Sequence, residues 1–285
     1  MPNSDRSYQG KLALVAGGSM GLGLALARQL AEDGATVWIL ARHPEPLQAA
    51  CGSLAASKGQ RHGMYSADVT SLDQVQAAVE YIKRQVGVPD LLINCAGAAH
   101  PGYVEETPLD VFHGMMDLNY FGTAYMVKSW LPDMLKRGSG HIVNVSSMAG
   151  FLGAFGYSAY GAAKYAVRGF SDVLRLELKP LGIRVSVVFP PDMDTPGLAN
   201  ENKTKPFETF AAGSTKALKP EDVAQSTLRD LKRGRYIILP GSEPRLLYHA
   251  MLLIGNGVYP IMDRLVADAR KKKQKAQAAR NDGHI

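Results

Sequence analysis

Short apolar runs alternate along this chain with longer stretches in which apolar positions recur every three or four residues. Residues 12–16 (LALVA), 36–41 (TVWILA), 64–68, 90–94 (DLLIN), 141–145, 183–189 (IRVSVVF) and 236–239 are the short runs. A strand covered on both faces reads as a continuous apolar run, so these runs predict buried parallel strands. Between them, residues 24–33, 44–58, 72–86 and 109–131 carry helical spacing, a further helix holds Tyr160 and Lys164, and Pro220-Glu221 starts another. Regular alternation of strand and helix predicts an α/β fold, a single Rossmann-type doubly wound parallel sheet over residues 1–245.

Glycines punctuate the first strand–helix junction. Gly17, Gly18, Ser19, Met20, Gly21, Leu22 and Gly23 follow the first strand directly. Such a turn lets the backbone approach a pyrophosphate, and the helix behind it presents free amides to the anion. The second strand ends in Ala41 and Arg42. Dinucleotide folds that hold the ribose hydroxyls place a carboxylate there, whereas a guanidinium accommodates a 2′-phosphate. This end therefore favours NADPH over NADH. Asp68 and Val69, at the end of the third strand, fall where adenine would lie. Cys95, Ala96 and Gly97, after the fourth, are small enough to leave room for a ribose.

The chemistry concentrates in residues 140–164, GHIVNVSSMAGFLGAFGYSAYGAAK. Tyr160 and Lys164 are one helical turn apart and share a face. An ammonium beside a phenol favours the phenolate and is expected to draw the phenol below its usual value of about 10. Such a tyrosine can hand a proton to a carbonyl oxygen. Ser147 lies upstream on the loop, placed to hydrogen-bond that oxygen. Asn119 sits inside a long helical pattern, where asparagine is disfavoured; it either serves the site or caps a local bend.

Charge and composition narrow the rest. The formal net charge is +6, but much of the excess is in Arg264, Arg270, Lys271, Lys272, Lys273, Lys275 and Arg280. A basic tail is a weaker nucleic-acid signal than a basic face, so no nucleic-acid partner is expected. Two cysteines without ligand spacing give no metal site and suit a reducing compartment. The first ten residues are polar and lack the apolar run of an export signal. Residues 190–219 are expected to be irregular, too long for an ordinary connection, and read as a lid over the substrate. Residues 246–285 read as an amphipathic segment with a basic tail. Residues 246–266 contain His249, Asn256, Pro260, Asp263 and Arg264, which argues against a membrane span. They suit either a helix lying on a bilayer surface or a core or dimer helix with a solvated tail.

Taken together, AGGSMGLG, Ala41-Arg42, Asp68, NCAG at residues 94–97, Asn119, Ser147, Tyr160 and Lys164 resemble the short-chain dehydrogenase/reductase family in order and spacing. The resemblance implies Tyr160 as general acid and base, with Lys164 lowering its pKa and holding the nicotinamide ribose. It gives Ser147 the substrate carbonyl, and Asn119 a water leading from Lys164 to solvent. It implies an NADPH site from Gly17, Ser19, Gly21, Leu22, Gly23, Arg42, Asp68, Val69, Asn94, Ala96, Gly97, Tyr160, Lys164, Pro190 and Thr195, the last touching the carboxamide. Ala16 departs from the usual threonine and Pro191 from the usual glycine.

Residues 190–206 (PPDMDTPGLANENKTKP) and the run NCAGAAHPGYVEETPLDVFHGMMDLNYFGT further resemble the 3-ketodihydrosphingosine reductases. That subgroup implies reduction of a long-chain sphingoid ketone, with Phe207, Phe210, Leu246, Leu247, Met251 and Leu252 as candidates for an apolar trough. It implies work on the cytoplasmic side of a membrane (endoplasmic reticulum in a eukaryote, inner membrane or cytoplasm in a bacterium), reached through the C-terminal segment. A homo-oligomer is the expected state. The alternatives are a reductase of another lipophilic carbonyl (a steroid, retinoid or ketoacyl thioester) or a non-catalytic NADP(H)-binding protein.

Overall fold

Seven parallel strands form one sheet in the computed structural model, which describes residues 8–56, 59–212 and 217–282. The strands are β1 (Leu12–Ala16), β2 (Thr36–Ala41), β3 (Gly63–Ser66), β4 (Leu91–Asn94), β5 (Gly140–Val145), β6 (Ile183–Val188) and β7 (Ile237–Ile238), in spatial order β3-β2-β1-β4-β5-β6-β7. The order reverses at β1, which pairs with β2 on one side and β4 on the other. In such sheets the crevice for a ligand opens at the carboxyl ends of the strands flanking that reversal.

Successive strand residues face opposite ways, so each strand feeds two cores. Ala13 and Val15 of β1 face one layer with Ile39, Ile93 and Val143, under α1 (Gly21–Glu32), α2 (Pro44–Gly52) and α9 (Pro220–Lys232). Leu12, Leu14 and Ala16 face the other with Leu40, Leu92 and Ile142, under α3 (Leu72–Val86), α5 (Gly122–Arg137) and α6 (Ser158–Leu178). The largest side chains here, Trp130 and Leu14 among them, are fully enclosed.

Four segments differ from the sequence expectation. Helix α2 stops at Gly52 rather than 58, where the Ser53 hydroxyl donates to the Ala50 carbonyl; Lys58 lies outside the described residues. The stretch 109–131 is α4 (Leu109–Met116), a π-helical turn over Asp117–Phe121, then α5. Such turns insert a residue and re-aim side chains, often at functional sites. Residues 190–219 are not wholly irregular: they hold α7 (Pro196–Glu201), started by a Thr195 hydroxyl that accepts from the Leu198 amide, and α8 (Phe207–Ala212). The C-terminal region is two helices, α10 (Ser242–Ile254) and α11 (Val258–Asp282), broken at Gly255–Gly257. Val258, Met262, Val266, Ala269 and Lys273 are the less exposed positions of α11, a helical stripe turned toward the body. Tyr248 packs edge-on against Phe151, 5.2 Å between ring centres.

Candidate active site

A cleft of about 650 Å³ runs from the glycine turn after β1 to the C-terminal helices. Its first wall is backbone. Gly17 has φ +81°, and a Cβ on it would sit 2.5 Å from the Ala96 amide nitrogen. Only glycine lets the turns after β1 and β4 touch, and that contact shapes the cradle. Helix α1 begins at Gly21, earlier than the expected 24, with no side-chain cap and no acidic residue in its first turn. Its leading amides are therefore left for an anion. Ser19, Leu22 and Gly23 line the same wall. The departure at Ala16 removes a side-chain brace, and the backbone supplies a tie there: the Cys95 amide donates to the Ala16 carbonyl at 2.9 Å.

Arg42 lines the cleft beside His43. The absence of a carboxylate at the end of β2 holds, but the fold brings one from elsewhere. Asp68 Oδ2 is 3.7 Å from Arg42 Nη1. Desolvation works to raise the Asp68 carboxyl, yet hydrogen bonds from Thr70 and the Arg42 charge outweigh it and hold the group below its usual range. The arginine side chain is 55% exposed, so this pair is weak and leaves the guanidinium able to turn to a phosphate.

Three expected residues have side chains engaged off the cleft walls. Asp68 accepts from the Thr70 amide and hydroxyl. Asn94 donates to Asn144 in the sheet interior, 2.8 Å. Asn119 is fully buried and donates to the carbonyls of Ala98 and Met115. Its Oδ1 has no hydrogen-bond partner among the described residues. That oxygen lies behind Gly97: a Cβ there would be 2.6 Å from Oδ1 and 3.2 Å from Lys164 Nζ. An orphaned acceptor beside a buried ammonium is suited to a bridging water. The π-helical turn is what aims Asn119 inward.

Ser147, Tyr160 and Lys164 converge on the cleft wall. Ser146 donates to the Lys164 carbonyl at 2.9 Å and ties the exit of β5 to α6. Ser147, in extended backbone, starts the turn Met148–Gly150 by accepting from the Ala149 amide. Lys164 Nζ donates to the Val145 carbonyl at 3.0 Å and lies 5.6 Å from the centre of the Tyr160 ring. Burial lowers Lys164 to about 8, against the opposing pull of Cys95. Tyr160 is a correction to the sequence reading. Burial raises its phenol above the ordinary value, the Ser147 hydroxyl draws it down, and the carboxylates of Glu201 and Asp192 push it up. Desolvation outweighs the Ser147 hydrogen bond, because losing water penalises a phenolate more than a neutral phenol.

The remaining expected residues, Val69, Ala96, Gly97, Pro190 and Thr195, line the cleft, as does Pro191. Thr195 reaches the glycine turn, with Cγ2 3.3 Å from where a Gly21 Cβ would be. Of the six trough candidates only Leu247 is on the wall. Phe207, Phe210, Leu246 and Leu252 are exposed, and Met251 packs against the cluster of Phe151, Leu152, Phe189 and Leu239. The apolar lining is instead Leu152, Phe155, Met262, Leu265 and Val266. Sequence reasoning also missed Tyr157, Asp192, Glu201 and Lys205, all on the wall. The four-residue spacing of Glu201 and Lys205 was the available signal.

A model of the short chain dehydrogenase family matches residues 11–206. The 3-ketodihydrosphingosine reductase of Dictyostelium discoideum is 41% identical over 248 residues, covering 81% of this chain and 74% of its own. That of Mus musculus is 37% identical over 249 residues, covering 84% and 73%. Among solved structures, a short-chain dehydrogenase from Burkholderia cenocepacia J2315 in complex with NADP superposes with TM-score 0.76 at 25% identity, covering 90% of this chain and 98% of its own. An actinorhodin polyketide ketoreductase with NADPH gives TM-score 0.69 at 30% identity, covering 75% and 87%. The family match spans every residue of the glycine turn and of the Ser147, Tyr160 and Lys164 group, and on that ground the chain belongs to the short-chain dehydrogenases.

Proposed function

We infer that this protein reduces the ketone of 3-ketosphinganine to sphinganine, with NADPH as reductant, in sphingolipid synthesis. The observation that carries the reading is a proton-donating group, Tyr160 with Ser147, on the wall of a cleft that also carries the apolar side chains of Leu152, Phe155, Met262, Leu265 and Val266. The names of the relatives from Dictyostelium and mouse supply the substrate class.

The glycine turn, the start of α1, Arg42, Val69, Ala96, Gly97 and Thr195 fit NADPH, which supplies the hydride when bound. Ser147 holds the carbonyl oxygen. Tyr160 delivers the proton to it, and a phenol raised by burial stays protonated across the working range. Lys164 and the Asn119 oxygen behind it offer a route for replacing that proton.

A bilayer surface is the proposed source of so insoluble a substrate. Leu246, Leu252, Leu253, Ile254, Tyr259 and Ile261 are exposed together around the α10–α11 break, which supports interfacial seating on the cytoplasmic face of a membrane. Among the described residues no helix is long and apolar enough to cross one. Exposed Leu109, Phe121, Val173 and Leu176 on α4 to α6 support pairing of copies, which sedimentation would read.

The decisive experiment follows NADPH oxidation by purified protein given 3-ketosphinganine in vesicles, beside short-chain ketones, steroids and ketoacyl thioesters. The sphingoid ketone should be reduced with the highest kcat/KM. Preference for another carbonyl, or NADPH binding without turnover of any, overturns the reading.

A further inference from the structure

The wall facing Tyr160 is polar, and the proton-transfer chemistry above does not use it. Asp192 follows β6, Glu201 ends α7, and Lys205 comes one turn later. Lys205 Nζ lies 3.2 Å from Glu201 Oε1 and 3.8 Å from Asp192 Oδ2, with its side chain 7% exposed. The rings of Tyr157 and Phe210 flank the same nitrogen, at 5.9 and 5.5 Å from their centres. The Tyr157 hydroxyl donates to Glu201 Oε1 as well. These groups already form a cage around a primary ammonium, the chain's own.

The cage is not saturated. Two carboxylates meet one ammonium, so one negative charge is left over. Glu201 Oε2 and Asp192 Oδ1 accept no hydrogen bond from the described residues, and both residues line the cleft. Their charge reaches the reacting position, since both act on the Tyr160 phenol. The Tyr157 and Tyr160 ring centres are 5.9 Å apart, so the cage and the proton donor are neighbours.

We propose that Glu201, assisted by Asp192, is the specificity-determining group that receives the ammonium next to the substrate's ketone. This rests on the reading above that the substrate is a 2-amino ketone. An ammonium one carbon from the carbonyl carbon would then lie against the free carboxylate oxygens while the substrate's carbonyl faces Ser147 and Tyr160. Lys205 sets the strength of the site by neutralising part of it. A ketone without the amine would leave the surplus charge uncompensated in a half-buried wall, at a cost in affinity.

The test measures kcat/KM for 3-ketosphinganine and for a ketone of equal chain length lacking the amine, and takes their ratio. Glu201→Gln should lower that ratio by about tenfold, through KM rather than kcat. Lys205→Met, which keeps the apolar stem and frees both carboxylates, should raise it severalfold; a merely damaged fold cannot do that. A ratio unmoved by either variant, or moved the same way by both, overturns the proposal while leaving the reductase reading intact. A wild-type protein that turns over some other carbonyl but not the amino ketone removes both.

Discussion

The floor of the cleft and its cover are built by different physics. The floor is the carboxyl ends of β1, β4 and β5, where Leu14, Val15, Leu92, Ile93, Ile142 and Val143 are wholly enclosed. Its polar groups, Asn94, Asn144, Ser171 and Lys164, are tied to the interior by hydrogen bonds. The cover, α7, α8 and α11, adds a set of charged contacts to the apolar stripe of α11. Tyr103 donates to Glu208 at 2.7 Å, Lys273 donates to Tyr103 at 2.7 Å, and Arg270 stands 3.6 Å from Glu208. Arg270 also lies 5.5 Å from the Phe155 ring centre. Two cations of the basic tail thus serve to close the cleft. A floor locked by burial keeps the reacting groups in place; a cover held by half-exposed ion pairs can open for a long substrate and can change without disturbing the chemistry.

Breaking the floor has the largest effect. Tyr160→Phe should lower kcat about 1000-fold while NADPH binding, followed by nicotinamide fluorescence, is largely retained. Retained turnover would take the acid role away from Tyr160. In the wild type, kcat/KM should fall above pH about 8 as Lys164 loses its proton, approaching tenfold per pH unit; a profile that stays flat through pH 10 would take this role away from Lys164.

Arg42→Ala tests the edge of the floor. The ratio of kcat/KM for NADPH over NADH should drop roughly 10- to 100-fold, the worth of a charge-assisted phosphate contact. An unchanged ratio would move phosphate recognition elsewhere, with His43 the nearest candidate on the wall.

Acid should loosen the sheet beneath the floor before the cover. His141 is buried at the amino end of β5, 2.9 Å from the Ser186 hydroxyl, and burial, reinforced by Arg184, lowers it to about 3. Its unfolded value is near 6.5, so below that pH the unfolded chain takes up a proton that the folded one refuses. Stability from this group is complete above pH 6.5 and declines toward pH 3, by about 2 kcal/mol at pH 5. Denaturant midpoints at pH 7 and 5 would read the slope, which His141→Leu should remove. Glu208 behaves oppositely in range. Desolvation would raise it, but the Tyr103 bond and the Lys273 and Arg270 charges hold it below the usual carboxylate value, so its contribution is intact at pH 5 and lost only in stronger acid.

The smallest effect belongs to the cover. Glu208→Gln should loosen α11 and raise KM for the long-chain ketone about threefold, because its partners are half exposed. Short ketones, which do not reach Met262 and Val266, should show less change. An equal rise for both would mean that α11 does not touch the substrate.

The strands at 12–16 and 36–41 and the helices at 72–86 and from Pro220 lie where the sequence predicts them, because buried runs and helical stripes are local patterns. The glycine turn and the Ser147, Tyr160 and Lys164 group were legible for the same reason: their spacing is short and their chemistry is carried by residue type. Tertiary structure decided what depends on distant neighbours. It brought Asp68 to Arg42, turned Asn119 inward through a π-helical turn, set Glu201 against Tyr157 across 44 positions, and laid Lys273 on Tyr103 across 170. It also reversed the sign expected for the Tyr160 phenol. A charge one turn away can be read from the sequence, but the loss of water around a side chain depends on everything packed over it, which only the fold decides.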